Sequence, residues 1–327
     1  MDAASNIILH HYPTSPFSEK VRLVLGYKNL NWQSVVIPMI MPKPDVVALT
    51  GGYRKTPFMQ IGADIYCDSA LICDVFEKLQ PEPTLYPAHQ KGVARILAQW
   101  GDTTLFWAAM AYNFSPAGAA QMFGLNDPDS KPENLAVAKA FGDDRTKMRV
   151  AVPRLPPADA AASYKSYLRR ISNMVEDQPF LLGDVPCIAD FSVYHPLWFT
   201  RHCTSAMAGI LDATPAVLAW MDRMAAIGSG VMQKSNAIDS IAVCANNTPA
   251  DVTNSPLNSI FQDEHGIPLG SIVSIVSDAF GPEPTEGELI ACSRMHYTLR
   301  RVDSRAGVVH VHFPRIGYVL KKSIQES

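Results

Sequence analysis

The sequence has few cysteines, and none stands in an arrangement typical of a disulfide framework or a zinc site. Positions 15 and 18 are both serine, so the Cys-x-x-Cys pair of dithiol oxidoreductases is absent there. The scattered spacing fits reduced thiols better than paired or metal-bound ones. We therefore expect neither a disulfide-stabilised fold nor thiol-disulfide exchange as the main activity. The six cysteines are Cys67, Cys73, Cys187, Cys203, Cys244 and Cys292.

Strong net charge and long apolar runs are also missing. The chain carries 28 Lys and Arg against 31 Asp and Glu, a net charge of -3, which offers no field to attract nucleic acid or an anionic membrane. No apolar run approaches the roughly 20 residues that span a bilayer, and no basic region with an apolar signal core opens the sequence. We expect a cytoplasmic protein without nucleic-acid or membrane partners. Its 327 residues allow two or three domains.

A serine at the start of the first predicted helix is the most informative feature that is present. Ser15 follows a short apolar strand and precedes Pro16, which suits the N-cap of a helix over 16–29. The N-terminus of a helix carries partial positive charge, so a hydroxyl there can help to hold a thiolate. The alternative interpretation is that Ser15 is only a helix cap.

A second motif follows in the same region. Thr56-Pro57 enters one short strand, Gly62 lies in a turn, and the next strand ends in Asp68-Ser69 at another helix start. The whole region reads as a βαβ unit followed by a hairpin and a helix. Its predicted elements are strand 6–11, helix 16–29, strand 32–37, a Pro-rich connection 38–50, strands 57–61 and 64–67, and helix 69–80.

In order and spacing these motifs resemble the glutathione transferase superfamily, whose N-terminal domain is thioredoxin-like. The resemblance identifies Ser15, in Ser-Pro-Phe, as the catalytic serine, and Thr56-Pro57 as the family's cis-proline. It also identifies Asp68-Ser69 as the pair that grips the γ-glutamyl group of glutathione. The implied activity uses glutathione as a thiolate for addition to or substitution on a small electrophilic organic substrate.

The resemblance places further residues around glutathione and the electrophile. Phe17 is expected beside glutathione, and Lys43 and Lys55 are candidates for its glycyl carboxylate, although a solvated surface position is an equal alternative for both lysines. The electrophile pocket is expected between the domains, next to Phe17. Its other candidate residues are Tyr12, Trp107, Met110 and Tyr112.

Beyond residue 83 the pattern becomes helical and then changes again. Residues 84–234 predict the family's all-α domain, in which Asp190 is expected at the buried N3 position of a capping box. Residues 235–255 read as a linker. Residues 256–327 alternate apolar and polar positions and predict a small antiparallel β barrel or roll, which the family ordinarily lacks. Its expected strands are 271–276, 288–292, 296–302, 308–313 and 317–321.

The fold class expected is thus an α/β thioredoxin-like domain (1–83), an all-α bundle (84–234) and a small C-terminal antiparallel β domain. Two alternatives to the transferase remain open: a glutathione-dependent double-bond isomerase, and a non-catalytic glutathione-binding protein. The resemblance implies a homodimer. His310 and His312, with His296 or His265, could suggest a metal site, but two histidines on one strand face more often point to water, and no metal is expected.

Overall fold

The structure, a computed structural model, describes residues 6–152, 155–252, 261–262 and 264–323. The first region contains β1 (Ile7–His11), α1 (Pro16–Tyr27), β2 (Trp32–Val36), α2 (Pro44–Thr50), β3 (Phe58–Ile61), β4 (Asp64–Cys67) and α3 (Ser69–Leu79). The helical region contains α4 (Lys91–Trp100), α5 (Phe106–Asn113), α6 (Pro116–Met122), α7 (Pro132–Met148), α8 (Pro157–Val175), α9 (Ile188–Trp198) and α10 (Pro215–Ala225). The remaining elements are β5 (Met232–Lys234), α11 (Ala237–Ala245), β6 (Ile272–Ser277), β7 (Thr285–Cys292), β8 (His296–Asp303), β9 (Gly307–Pro314) and β10 (Tyr318–Lys322).

The first region has the expected thioredoxin-like topology. β1 pairs in parallel with β2 and antiparallel with β3, and β3 pairs antiparallel with β4. Every residue of β1 is buried, because α1 and α3 belong to a core on one side of the sheet, and α2, α11 and the C-terminal strands contribute to a second core on the other. The connection 38–50, expected without a helix, contains the short helix α2. Pro44 at its first position supplies the helical φ, and Val46 and Leu49 bury its inner side.

The helical region confirms the predicted all-α character. α4 and α5 form one continuous helical segment, which passes through a π-helical turn at Gly101–Leu105. A side chain at Gly101 would meet the backbone of Ser192 on α9 at 2.9 Å, so this position requires glycine for α4 and α9 to pack closely. Asp190 is fully buried and its carboxylate accepts the N–H groups of Cys187 and Leu181 at 2.9 Å, as its structural role predicted. No helix among the described residues is long and apolar enough to cross a membrane.

The C-terminal strands extend the thioredoxin-like sheet, which differs from a barrel or roll closed on itself. The five strands pair antiparallel in the order β10, β6, β7, β8, β9, and β9 then pairs in parallel with β4. This gives one ten-stranded sheet over the described residues. The antiparallel pairing of these five strands confirms the predicted antiparallel β character of the C-terminal region. The segment 235–255, expected as a linker, contains helix α11, and its residues 253–255 lie outside the described range.

A shared core joins the C-terminal strands to the first region. Ile8, Phe58 and Ile65 from the first region and Val311 and Phe313 from β9 belong to one buried apolar cluster. Because neither part covers this cluster alone, the sheet extension is a packed part of the fold. The limits of the three units given by the sequence remain predictions.

The histidines of β9 do not point to water as expected. His312 is buried, its Nε2 lies 2.9 Å from Asp64 Oδ1 on β4, and its ring stacks on Tyr66. His310 lies 3.8 Å from the same carboxylate oxygen. These polar side chains therefore join β9 to β4. Among the described residues, no group of three or more His, Cys, Asp and Glu is arranged to hold a metal ion.

Three buried histidines make stability dependent on pH. Burial lowers the pKa of His10, His11 and His296 to about 4, and Arg22 adds to the shift of His11. Unfolding restores a pKa near 6.5, so the unfolded chain binds more protons than the folded chain between pH 4 and 6.5. The contribution of these three histidines to stability is therefore complete above pH 6.5 and lost as the pH falls through this window.

We expect the free energy of unfolding to fall as the pH is lowered from 6.5, with a slope approaching about 4 kcal/mol per pH unit for three histidines. Denaturant unfolding at a series of pH values measures this slope. His296→Gln is expected to reduce it by the share of one histidine, about 1.4 kcal/mol per pH unit. A flat profile between pH 6.5 and 5 would contradict the assignment.

Candidate functional site

One cavity of about 1030 Å³ lies where the three regions of the chain meet. The first region contributes the loop after β1, the Thr56 turn and the start of α3. The helical region contributes α4, α5 and α7, and the C-terminal strands contribute their loops. Charged and polar groups line the part next to α1 and α3, whereas aromatic and methionine side chains line the part next to α5. Among the latter are Phe106, Trp107, Met110, Phe114, Phe141 and Phe280.

Ser15 is the N-cap of α1 and lines this cavity. Its side chain is buried, and its Oγ accepts the N–H of Ser18 at 3.2 Å. An Oγ that accepts in this way keeps its own proton available for donation. The hydroxyl thus lies at the positive end of α1, where it can donate to an anion in the cavity.

The Thr56–Pro57 peptide bond is cis, as the resemblance implied. Thr56 lines the cavity, and Pro57 is buried directly before β3. The turn therefore brings Thr56 into the lining of the same cavity as Ser15.

Asp68 and Ser69 form the start of α3. Asp68 is the N-cap, and its Oδ1 accepts the N–H of Ala70 at 2.9 Å. Its φ is 81°, in the left-handed region that side-chain-bearing residues rarely occupy. Ser69 is buried and lines the cavity next to it. The Asp-Ser pair and Ser15 consequently face one cavity, although 53 positions separate Ser15 from Asp68 in the printed sequence.

A buried ion pair beneath Ser69 was not predicted. Lys20 Nζ lies 2.6 Å from Asp102 Oδ2 and 3.4 Å from Ser69 Oγ, and His195 Nε2 lies 3.0 Å from Asp102 Oδ1. Burial alone would lower the pKa of Lys20, but the Asp102 carboxylate outweighs it and raises that pKa. Burial lowers the pKa of His195, so its neutral ring donates to Asp102. The only local signal was a lysine within the apolar face of α1.

The two candidate lysines differ in their surroundings. Lys43 is only 2% exposed and its Nζ donates to the Arg54 carbonyl at 3.1 Å, so the alternative of a solvated surface position is wrong for it. Burial, assisted by the neighbouring Arg145 and Arg54, lowers the pKa of Lys43 to about 7. Lys55 is half-buried, and its Nζ donates to Ser277 Oγ at 3.1 Å. Both lysines line the cavity.

Four of the five residues expected at the electrophile pocket lie in the cavity lining, and Tyr112 does not. The four are Tyr12, Phe17, Trp107 and Met110. Tyr112 instead donates its hydroxyl to the Met207 carbonyl at 3.2 Å and packs its ring on Tyr164. Residues two apart on a helix point in nearly opposite directions, so α5 cannot present both Met110 and Tyr112 to one cavity.

The C-terminal strands supply cavity residues that the sequence did not indicate. The ring centroid of Phe280 lies 5.0 Å from that of Trp107 on α5. The N–H of Gly281 donates to the Met148 carbonyl at 2.7 Å, which fixes this loop to the end of α7. Ser277 and Tyr318 also line the cavity, where they contact Lys55 and Asp68, respectively. The extension therefore closes the cavity between the other two regions.

Comparison with known proteins agrees with this architecture. Residues 9–84 match the family model described as "Glutathione S-transferase, N-terminal domain", and residues 149–223 match "Glutathione S-transferase, C-terminal domain". The crystal structure of a GST-like protein from Pseudomonas syringae is 39% identical, with a TM-score of 0.79, over 98% of this chain and 100% of that chain. This similarity includes the C-terminal strands.

More distant structures match only part of the chain. A glutathione S-transferase from Rhodospirillum rubrum F11 is 20% identical, with a TM-score of 0.47, over 66% of this chain and 86% of that chain. A beta-etherase from Sphingobium sp. strain SYK-6 is 17% identical, with a TM-score of 0.49, over 67% of this chain and 95% of that chain. No curated protein matches the chain.

Proposed function

The chain belongs to the glutathione S-transferase superfamily, and from this premise we propose that it is an enzyme that activates glutathione as a thiolate for reaction with a small organic electrophile. The observation that carries the proposal is the position of the Ser15 hydroxyl. It is buried at the start of α1 and shares a cavity with Asp68 and Ser69. The aromatic lining beside it suits an apolar electrophile.

The chemistry requires a thiolate. A free thiol with a pKa near about 8.5 is mostly protonated at neutral pH. The Ser15 hydroxyl donates to the sulfur anion, and the positive end of the α1 dipole adds favourable potential. The thiol proton leaves to solvent. The sulfur electron pair then forms a bond to an electrophilic carbon, and either a leaving group departs with its electrons or a double bond shifts its pair to an atom that takes up a proton.

In this proposal, residues of the cavity bind both ends of glutathione and so orient its thiol. Asp68 pairs with the α-ammonium of the γ-glutamyl group, and Ser69 with the N–H groups of α3 holds the adjacent carboxylate. Lys43 and Lys55 are the candidates for the glycyl carboxylate. An anion bound against Lys43 favours its charged form, which opposes the effect of burial on its pKa.

Ser69→Ala is expected to weaken glutathione binding severalfold, since one hydrogen bond to a carboxylate is lost. Calorimetric titration of glutathione into the two proteins measures the change. Ser172→Ala is the matched control, because Ser172 is equally buried but lies on α8, outside the cavity lining. Absence of glutathione binding to the folded wild type would refute the proposed function.

Consumption of glutathione separates the candidate activities. With a panel of electrophiles, stoichiometric loss of glutathione indicates transfer. Conversion of an unsaturated substrate at constant glutathione indicates the double-bond isomerase, in which the thiolate adds reversibly. Glutathione binding without turnover indicates the non-catalytic alternative. Homodimerisation and a cytosolic location remain predictions from the resemblance and the sequence.

A further inference from the structure

The first residue of β10 contacts the residue that the proposed function assigns to the α-ammonium of glutathione. The hydroxyl of Tyr318 donates to Asp68 Oδ2 at 3.1 Å. Tyr318 is 7% exposed, and both side chains line the cavity. The contact joins residues 250 positions apart. A group from the C-terminal strands is thus part of the immediate surroundings of Asp68.

Asp68 has a conformation that requires support. Its φ of 81° is unfavourable for a residue with a Cβ, and such a residue persists only where neighbouring groups hold it. Its N–H donates to the hydroxyl of Tyr53 at 3.1 Å, and the ring centroids of Tyr53 and Tyr318 lie 6.5 Å apart. Tyr53 thus holds the backbone of Asp68, and Tyr318 holds its carboxylate.

The contact leaves the charge of Asp68 available. A carboxylate oxygen accepts more than one hydrogen bond, so Oδ2 keeps acceptor capacity after the bond from Tyr318. The nearby cation, Lys55, places its Nζ 4.5 Å from the centre of the Tyr318 ring and donates to Ser277. Among the described residues, no ion pair joins Lys55 to Asp68. Lys55 acts on Asp68 without a direct ion pair: burial lowers the pKa of Lys55, and the nearby Asp68 carboxylate opposes that shift.

We propose that Tyr318 is a positioning residue for the γ-glutamyl end of glutathione, acting through Asp68. The inference rests on the proposed function. It assigns to the C-terminal strands a role in recognising the co-substrate, in addition to covering the sheet. An ammonium group of the ligand meets a carboxylate whose direction is already set, so less conformational entropy is lost on binding.

The test compares two ligands in calorimetric titrations. Tyr318→Phe removes only the hydroxyl and is expected to weaken glutathione binding about three- to tenfold, the effect of one hydrogen bond. Cysteinylglycine lacks the γ-glutamyl group, and its affinity is expected to be the same for wild type and variant. Tyr297→Phe is the matched control, because Tyr297 is a buried tyrosine of β8 outside the cavity lining. It should leave both affinities unchanged.

A double variant tests whether Tyr318 acts through Asp68. Once Asp68→Asn has removed the charge, adding Tyr318→Phe should cost little further affinity. Equal losses for glutathione and cysteinylglycine in Tyr318→Phe, or fully additive losses in the double variant, would overturn the inference. Wild-type affinity in Tyr318→Phe would also overturn it and leave the proposed function standing. Failure of the wild type to bind glutathione would overturn both.

Discussion

Ser15→Ala is expected to lower kcat/KM for transfer by about 10- to 100-fold, because a charge-assisted hydrogen bond to the thiolate contributes about 1.5–3 kcal/mol. The pKa of the bound thiol should rise by about one to two units for the same reason. The measurements are steady-state kinetics with a reactive electrophile and titration of the ultraviolet absorbance of the thiolate in the glutathione complex. The geometry supports this size of effect, since the Ser15 hydroxyl is buried beside the N–H groups of α1.

A second serine cap separates the catalytic effect from the structural one. Ser115 precedes Pro116 at the start of α6, its Oγ accepts the N–H of Gly118, and it is not a lining residue of the cavity. Either alanine substitution should cost about 1 kcal/mol of stability through the lost cap. Only Ser15→Ala should change the thiol pKa. An unchanged titration with lowered stability in Ser15→Ala would leave Ser15 as a cap alone.

Removal of the C-terminal strands is expected to abolish folding. A chain of residues 1–247 keeps α11 but loses β9, which leaves the edge of β4 unpaired and uncovers apolar side chains such as Phe58 and Ile65. Exposing each such side chain costs about 1.5–3 kcal/mol. The cost of exposing a few of these side chains is comparable with the whole stability of a domain, about 5–15 kcal/mol.

The expected product of residues 1–247 is insoluble or unfolded and binds no glutathione. Solubility, circular dichroism and calorimetric titration measure this. A matched chain of residues 1–323 lacks only the last four residues and should match the wild type in all three. A soluble 1–247 fragment that binds glutathione would instead show that the strands are a separable addition, as the change of periodicity along the sequence first suggested.

Local signals account for what could be predicted. Ser15 and Pro16 mark the start of α1, and alternation marks β9. Pro57 directly precedes β3, and Gly62 lies in the turn between β3 and β4. Each depends on neighbours within a few positions, which is where capping, turn geometry and side-chain periodicity act. The missed helix α2 is the informative failure. Its prolines read as a connection, but Pro44 lies at the first helical position, where proline is favourable.

The direction in which a side chain points was harder to predict than the helix or strand that carries it. Tyr112 and Met110 belong to the same correctly predicted helical segment, yet only Met110 faces the cavity. α5 is apolar on most sides, since it packs against α8 and α9 and also faces the cavity. Its sequence therefore does not show which side faces the cavity. The prediction that the histidines of β9 point to water was wrong for a related reason. Alternation placed them on one face, but β9 pairs with β4, which is far away in the sequence, and His312 is buried there against Asp64.

The sequence by itself determined the family and most of the helices and strands, and it predicted Ser15, Thr56, Pro57, Asp68 and Ser69 as candidate site residues, because these depend on short-range pattern and spacing. Only the tertiary structure decided that β9 joins β4, that Lys20 pairs with Asp102, and that Tyr318 reaches Asp68. Asp64 and His312 are 248 positions apart. Folding brings together strand edges and buried charges that need partners, and these partners come from distant parts of the chain. No local stretch of sequence shows which partner each will have.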